Sequence, residues 1–225
     1  GIDVGASAIK AVELSIGESS VALRNFSEVS LKKIEDGLPA DAERSFGEEV
    51  TLRIRALFHK MQPDTGSVAV SLPAYMGLVV LIELPYLEKD ELASAVQFEA
   101  RKYIPSKPED VLLSWDILEA LPPSPTVSGG HMRILLAAAL KNEVQKYESY
   151  ITGAGASIVF EELETFSLAR ALTHGKPGTQ MIIDIGSKAT NCIVVQNGQV
   201  QASSGISIGS KDFTRTLSEL MGVAP

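Results

Sequence analysis

The chain has 225 residues, 45% of them hydrophobic and 21% charged, a composition that folds and that excludes wholesale disorder, collagen and coiled coil. At about 100 to 200 residues per domain, this is one large domain or two small ones. Twenty Lys and Arg against 28 Asp and Glu leave a formal charge of −8, which repels nucleic acid and anionic lipid over most of the surface, although a local phosphate site needs only a few aimed N–H groups.

A single cysteine, Cys192, cannot form an internal disulfide, and no secretory signal opens the sequence, so a reducing cytoplasm is the expected compartment. Asn25-Phe26-Ser27 is then an idle sequon. The longest uncharged apolar runs, 76–82 and 134–140, fall far short of the roughly 18 residues that span a bilayer and read as buried strands. The sequence begins in a strand-like run without methionine, and a few residues are expected to precede it.

In chain order, a strand enters Gly5, and alternation at 9–14, a Gly17-Glu18 turn, and apolar runs at 21–26 and 29–34 predict a three-stranded meander. After a Gly37/Pro39 loop, Phe46, Val50, Ile54, Leu57, Phe58 and Met61 place one apolar stripe on a helix, and a strand follows at 68–72. The rhythm then restarts. Strands at 78–83, 111–118 and 132–140, with helices at 88–103 and 141–152, predict a small inserted α+β subdomain. Ile104-Pro105 stops its first helix, 121–130 is a surface loop, and Gly153-Ala154-Gly155 closes the subdomain. A strand at 157–161 and a helix at 164–174 return to the first unit, and the helix ends at Gly175-Lys176-Pro177-Gly178.

The chemistry sits in a repeat. Ile2-Asp3-Val4-Gly5-Ala6-Ser7-Ala8 and Ile183-Asp184-Ile185-Gly186-Ser187-Lys188-Ala189 align without a gap at an offset of 181 residues. Each is an apolar strand ending in Asp-apolar-Gly that turns straight into another strand, placing a carboxylate beside glycine N–H groups at a sheet end. One such turn is an ordinary hairpin more often than not. The second copy is followed by Asn197-Gly198, a strong hairpin signal, and a strand at 199–204, so the order strand, turn, strand, turn, strand is duplicated too. Two copies facing across a cleft hold phosphates between their turns, with the aspartates positioning magnesium, usually through waters.

These residues resemble the actin-like ATPases, and among them the PilM family of type IV pilus assembly, with FtsA as a related family. The run from Gly1 to Leu14 is similar to the family's first phosphate motif. Glu83-Leu84-Pro85, Glu91-Leu92 and Phe98-Glu99-Ala100-Arg101-Lys102-Tyr103-Ile104-Pro105 look like the opening of its inserted subdomain. Glu164-Thr165-Phe166-Ser167-Leu168-Ala169-Arg170-Ala171 looks like the helix between the lobes, and Ile183-Asp184-Ile185-Gly186 like the second phosphate motif.

The resemblance implies an α/β, actin-like (ribonuclease H-like) two-lobed fold: a first lobe at 1–76 and 156–180, the inserted subdomain at 77–155, and the start of a second, incomplete lobe at 181–225. It implies ATP and magnesium, with Asp3 and Asp184 on the metal side, Gly5, Ser7, Lys10, Gly186 and Ser187 on the phosphates, and Glu164 near the attacking water. By alternation alone Lys10 could equally point to solvent, and Glu164 could merely favour its own helix dipole. Any ATPase would be slow.

The implied function is a cytoplasmic scaffold of the pilus assembly platform, held at the inner membrane by the N-terminal tail of a PilN-like protein. Other pilus proteins, including the motor ATPase, and self-association are further implied contacts. An FtsA-like division protein is the nearer alternative. A small-molecule kinase is the more remote one, because no separate aspartate base stands in a comparable glycine-rich context. The stripe of Phe213, Leu217 and Leu220, stopped by Gly222, predicts a last helix at 210–221 with no adenosine motif after it. Ser7-Ala8-Ile9-Lys10 matches S-x-x-K only by coincidence, no Walker A or Rossmann fingerprint is present, and His59, His131 and His174 lack metal-ligand spacing.

Overall fold

In the computed structural model, which describes residues 1–18, 20–31, 45–104, 106–123, 129–174 and 176–224, the chain opens as an antiparallel meander. The Gly37/Pro39 loop, the stop at Pro105, part of the 121–130 loop and Gly175 lie outside the described residues. Strands β1 (Ile2–Val4), β2 (Ala8–Ile16) and β3 (Val21–Ser30) pair so that Ile2 faces Ala11 and Val4 faces Ile9. These four side chains are buried on one face, and the alternate row, with Asp3 opposite Lys10, lies on the other.

The strands expected at 21–26 and 29–34 are a single strand as far as the description reaches. Ser27-Glu28 carries no Gly, Pro, Asn or Asp, and the small Ser27 side chain is buried opposite Ala11, so nothing interrupts the extended backbone.

Helix α1 (Phe46–Met61) follows from its stripe: Val50, Ile54, Leu57 and Met61 are buried against the meander. It starts at a capping box in which the Glu48 N–H donates to Ser45 Oγ (3.3 Å) and the Ser45 N–H to Glu48 Oε2 (2.8 Å). Ser45→Ala is expected to cost about 1 kcal/mol. In a chain of this size that lowers Tm by roughly 2 to 4 °C, read by thermal denaturation.

Strand β4 (Ser67–Leu72) runs parallel to β1, and the chain then leaves this sheet. Strands β5 (Gly77–Pro85), β6 (Val111–Leu121) and β7 (His131–Leu140) form an antiparallel sheet in the order β5-β7-β6. Helix α2 (Lys89–Ala100) buries Leu92, Val96 and Ala100 against Ile82, Met132, Ile134 and Leu136. It ends three residues before the expected Tyr103. The Lys102 and Tyr103 N–H groups reach back three residues, to the Glu99 and Ala100 carbonyls (3.0 and 3.1 Å), which tightens the last turn and leaves Tyr103 exposed.

Helix α3 (Lys141–Gly153) returns the chain to the first sheet, where β8 (Ser157–Leu163) adds parallel to β4 and completes the order β3-β2-β1-β4-β8 among the described residues. Helix α4 (Glu164–Thr173) then leads into β9 (Thr179–Ile185), β10 (Thr190–Gln196) and β11 (Gln199–Ile206), an antiparallel sheet in the order β11-β10-β9.

The Asn197-Gly198 signal makes the two-residue turn it predicts, with both φ angles positive (51° and 81°) and Gln196 paired to Gln199. Helix α5 (Ser210–Met221) follows, its Phe213, Leu217 and Leu220 exposed. One apolar core runs from Ile9 and Ile54 in the first layer through Ala169 of α4 to Ile193 and Val195 of β10. Among the described residues no helix is long and apolar enough to cross a membrane.

Candidate functional site

The two copies of the repeat fold into the same turn. The Gly5 N–H donates to the Ala8 carbonyl at 3.0 Å, and the Gly186 N–H to the Ala189 carbonyl at 2.9 Å. A Cβ on either glycine would lie 3.0 or 2.9 Å from that same carbonyl oxygen, so crowding, rather than an unusual φ, favours glycine at both. Both glycine N–H groups are therefore spent inside the turn. Each turn is braced from behind: the Ser7 carbonyl accepts from the Leu31 N–H (2.8 Å), and the Ser187 carbonyl from the Lys211 N–H at the start of α5 (3.2 Å).

The aspartates stand at equivalent strand positions. Asp3 lies directly opposite Lys10 and beside Ser71 of β4, which puts the Lys10 side chain on the carboxylate's face of the sheet. Asp184 lies directly opposite Asn191. Burial pushes the Asp3 carboxyl above its usual range; the Lys10 charge pulls it back, and the Asp184 charge raises it further. Asp3 Oδ1 is buried and has no hydrogen-bond partner among the described residues.

Glu164 joins the same field. Its proton affinity is raised first by burial and then by the charges of Asp3 and Asp184, against the opposing pull of the Ala74 N–H, which donates to Glu164 Oε1 at 2.9 Å. That bond crosses to the end of β4, so the carboxylate is docked between elements as well as starting its own helix. The fold thus brings Asp3, Lys10, Asp184 and Glu164 into one electrostatic neighbourhood, with Gly5, Ser7, Gly186 and Ser187 on the two turns that bound it. Among the described residues no three His, Cys, Asp or Glu side chains are placed to grip a metal ion by themselves.

Sequence reasoning missed the polar groups that frame these carboxylates: Ser71, whose Oγ lies 3.3 Å from Ser167 Oγ, and the buried Thr165 and Asn191. The signal for Asn191 was present, since it occupies the place of Lys10 at the repeat's offset of 181.

A second feature is a cleft of about 530 Å³ between β6 and β8, lined by Leu112, Trp115, Ala139, Phe160, Leu163 and Phe166. Each of these strands lies at the end of its sheet's order, so the cleft is flanked by two strand edges. Sharing Asp116, Leu135, Phe166 and Arg170, it continues into a cleft of about 740 Å³ that reaches Gly198 and Gln199 of the β10–β11 turn.

Glu161 also lines the first cleft. Burial, and then hydrogen bonding and charge from the facing carboxyl of Glu148, push its pKa up to about 7. A carboxyl whose folded pKa lies above its unfolded value binds an extra proton in the folded state, so its contribution to stability falls as pH rises from about 4.5 to about 7. Glu161→Gln is expected to flatten that slope and to stabilise the protein at pH 8, measured by denaturant melts across pH. An unchanged slope would show that Glu161 ionises like a solvated carboxyl.

The family model of the type IV pilus assembly protein PilM matches residues 1–224. Among solved structures, a chain of the PilM-PilN type IV pilus biogenesis complex superposes with a TM-score of 0.79 at 24% identity, over 100% of this chain and 66% of that one. The cytoplasmic domain of EpsL, an inner membrane component of the type II secretion system of Vibrio cholerae, matches at 0.56 and 11% identity, over 97% and 72%. The ethanolamine utilization protein EutJ from Carboxydothermus hydrogenoformans matches at 0.52 and 14%, over 99% and 56%. The chain thus spans 66% of the PilM chain and 56% of EutJ. With the duplicated turn and the strand orders above, these matches identify an actin-like α/β fold, and the chain belongs to the PilM family of type IV pilus assembly proteins.

Proposed function

We propose that this chain is part of an ATP-binding, actin-like scaffold that works at the inner membrane by gripping the cytoplasmic N-terminal tail of a PilN-like protein. The observation that carries the reading is the convergence of Asp3, Asp184 and Glu164 between two identical glycine turns, with Asp3 Oδ1 buried and unpartnered. A buried, acceptor-only oxygen among like charges is costly unless a cation faces it.

The residues present fit magnesium-ATP. Asp3 and Asp184 would hold the hydrated ion through water, because their geometry does not form a direct cage. The Ser7 and Ser187 hydroxyls would receive the phosphates, with the Gly5 and Gly186 backbones allowing close approach and Lys10 adding a positive charge beside Asp3. Bound magnesium would supply the positive charge that neutralises the phosphates. Glu164 has the raised proton affinity of a base, yet the Ala74 N–H holds one of its oxygens, consistent with slow hydrolysis at most.

On this reading 1–76 and 156–180 form the first lobe, 77–155 the inserted subdomain, and 181–225 belongs to the second lobe. The cleft between β6 and β8 is the partner site. It offers strand edges that are unpaired among the described residues to an extended peptide and apolar pockets to its alternate side chains, and PilN is the partner named in the solved complex of the family. Calorimetric titration of the full-length protein with ATP, with and without magnesium, and with a synthetic PilN-like tail tests both sites. Heat in neither titration removes the proposal.

A further inference from the structure

Helix α4 reaches through hydroxyl groups to both of the sheets that carry the repeat. Toward the first sheet, Ser167 Oγ lies 3.3 Å from Ser71 Oγ, and Ser71 is the strand neighbour of Asp3. Toward the third sheet, Thr165 enters a closed ring. Asn191 Nδ2 donates to Thr165 Oγ1 (3.3 Å), Ser203 Oγ donates to Asn191 Oδ1 (3.0 Å), and the remaining hydroxyl proton closes the circuit between Thr165 Oγ1 and Ser203 Oγ (3.3 Å). Thr165 and Asn191 are only 1% and 4% exposed, so water cannot take the place of either of these two members.

Asn191 is also the strand neighbour of Asp184, and Thr165 directly follows Glu164. The repeat is asymmetric at this point. Its first copy places the exposed Lys10 across from the aspartate, whereas the second copy places there a buried amide locked to the helix between the sheets.

Resting on the nucleotide reading above, we infer that Thr165, through its ring with Asn191 and Ser203, is the positioning residue that sets Asp184 against Asp3 and Glu164, and so governs the magnesium-dependent part of ATP binding. A pin of this kind acts on the placement of the second carboxylate and leaves the phosphate donors of each separate turn intact. Thr165→Ser keeps the ring's hydroxyl; Thr165→Val keeps the volume and removes it.

The test uses the full-length protein and two readouts. In calorimetry, Thr165→Val is expected to lose at least about tenfold in ATP affinity with magnesium while staying within about twofold without it, and Thr165→Ser to match the parent with magnesium. In the second readout, spin labels at Glu28→Cys and Gln196→Cys, in a background where Cys192 and any further native cysteine are replaced by alanine, report the distance between the sheets. The distribution is expected to broaden in Thr165→Val and not in Thr165→Ser. Should Thr165→Val fail to fold, Ser203→Ala opens the same ring at a half-buried site and takes its place in both measurements. Equal loss with and without magnesium, no loss, or failure of the serine variant to restore binding overturns the inference. If the parent protein shows no magnesium-dependent binding, the nucleotide reading has failed; the label distances then decide the pin alone, and an unchanged distribution overturns it.

Discussion

Replacing Asp3 or Asp184 by alanine in the full-length protein is expected to weaken magnesium-dependent ATP binding at least tenfold, about 1.4 kcal/mol, and replacing both is expected to abolish the dependence on magnesium. The two carboxylates share one field, so the double variant should cost less than the sum of the single ones. Folding should survive. Asp3 Oδ1 has no partner among the described residues to lose, and alanine relieves the burial of a carboxylate and its like-charge repulsion with Asp184 and Glu164, so the apo form of Asp3→Ala is expected to melt no lower than the parent.

The pH dependence has a definite sign. Asp3 holds its proton to a higher pH than an ordinary carboxyl, chiefly because it is buried, so magnesium-dependent binding should fade on acidification with a midpoint above 3.8. Calorimetry at several pH values checks this. Unchanged affinity in both single variants would dismiss the facing-turn site altogether.

The second large effect belongs to the cleft between β6 and β8. Leu112 and Phe160 are 44% and 53% exposed, one on each flanking strand, and both line the cleft without supporting the core beneath. Leu112→Ser with Phe160→Ser should leave the melting curve nearly unchanged and lower affinity for a PilN-like tail by more than about 30-fold, the scale of about 2 kcal/mol for a buried anchor of an interface. Phe213→Ser and Leu217→Ser on the exposed face of α5 serve as the control and should leave tail binding intact. Full tail binding by the cleft variant, or by a protein lacking 77–155, would move the partner elsewhere and favour a role for that region in self-association.

The repeat was the most legible part of the chemistry. Asp-apolar-Gly twice, ungapped, reports two turns of the same kind because the close approach of the Ala8 and Ala189 carbonyls crowds a Cβ, a constraint local to the turn. Local periodicity likewise located α1, and Asn197-Gly198 located its hairpin, since a stripe at three and four residues and a positive-φ dipeptide are decided within a few residues of chain. Local signals failed where distant packing intervened. Ser27-Glu28 continues the strand because the burial of Ser27 opposite Ala11 depends on the pairing of β3 with β2, and Tyr103 lies outside α2 because the last turn tightens before reaching it.

The direction of Lys10 was undecidable from alternation and became definite only when β1 paired with β2 and set it opposite Asp3. Glu164, an unremarkable helix-starting acid in the sequence, acquired its raised proton affinity from burial and from two aspartates, one of them 161 residues away. The cleft between β6 and β8 is tertiary in the same sense: it is bounded by the edges of two sheets. Residue types and their spacing determined the turns, the stripes and the family; the electrostatics of the carboxylates and the shape of the cleft arose only when strands distant in sequence were set side by side, because burial and Coulomb interaction depend on distance in space.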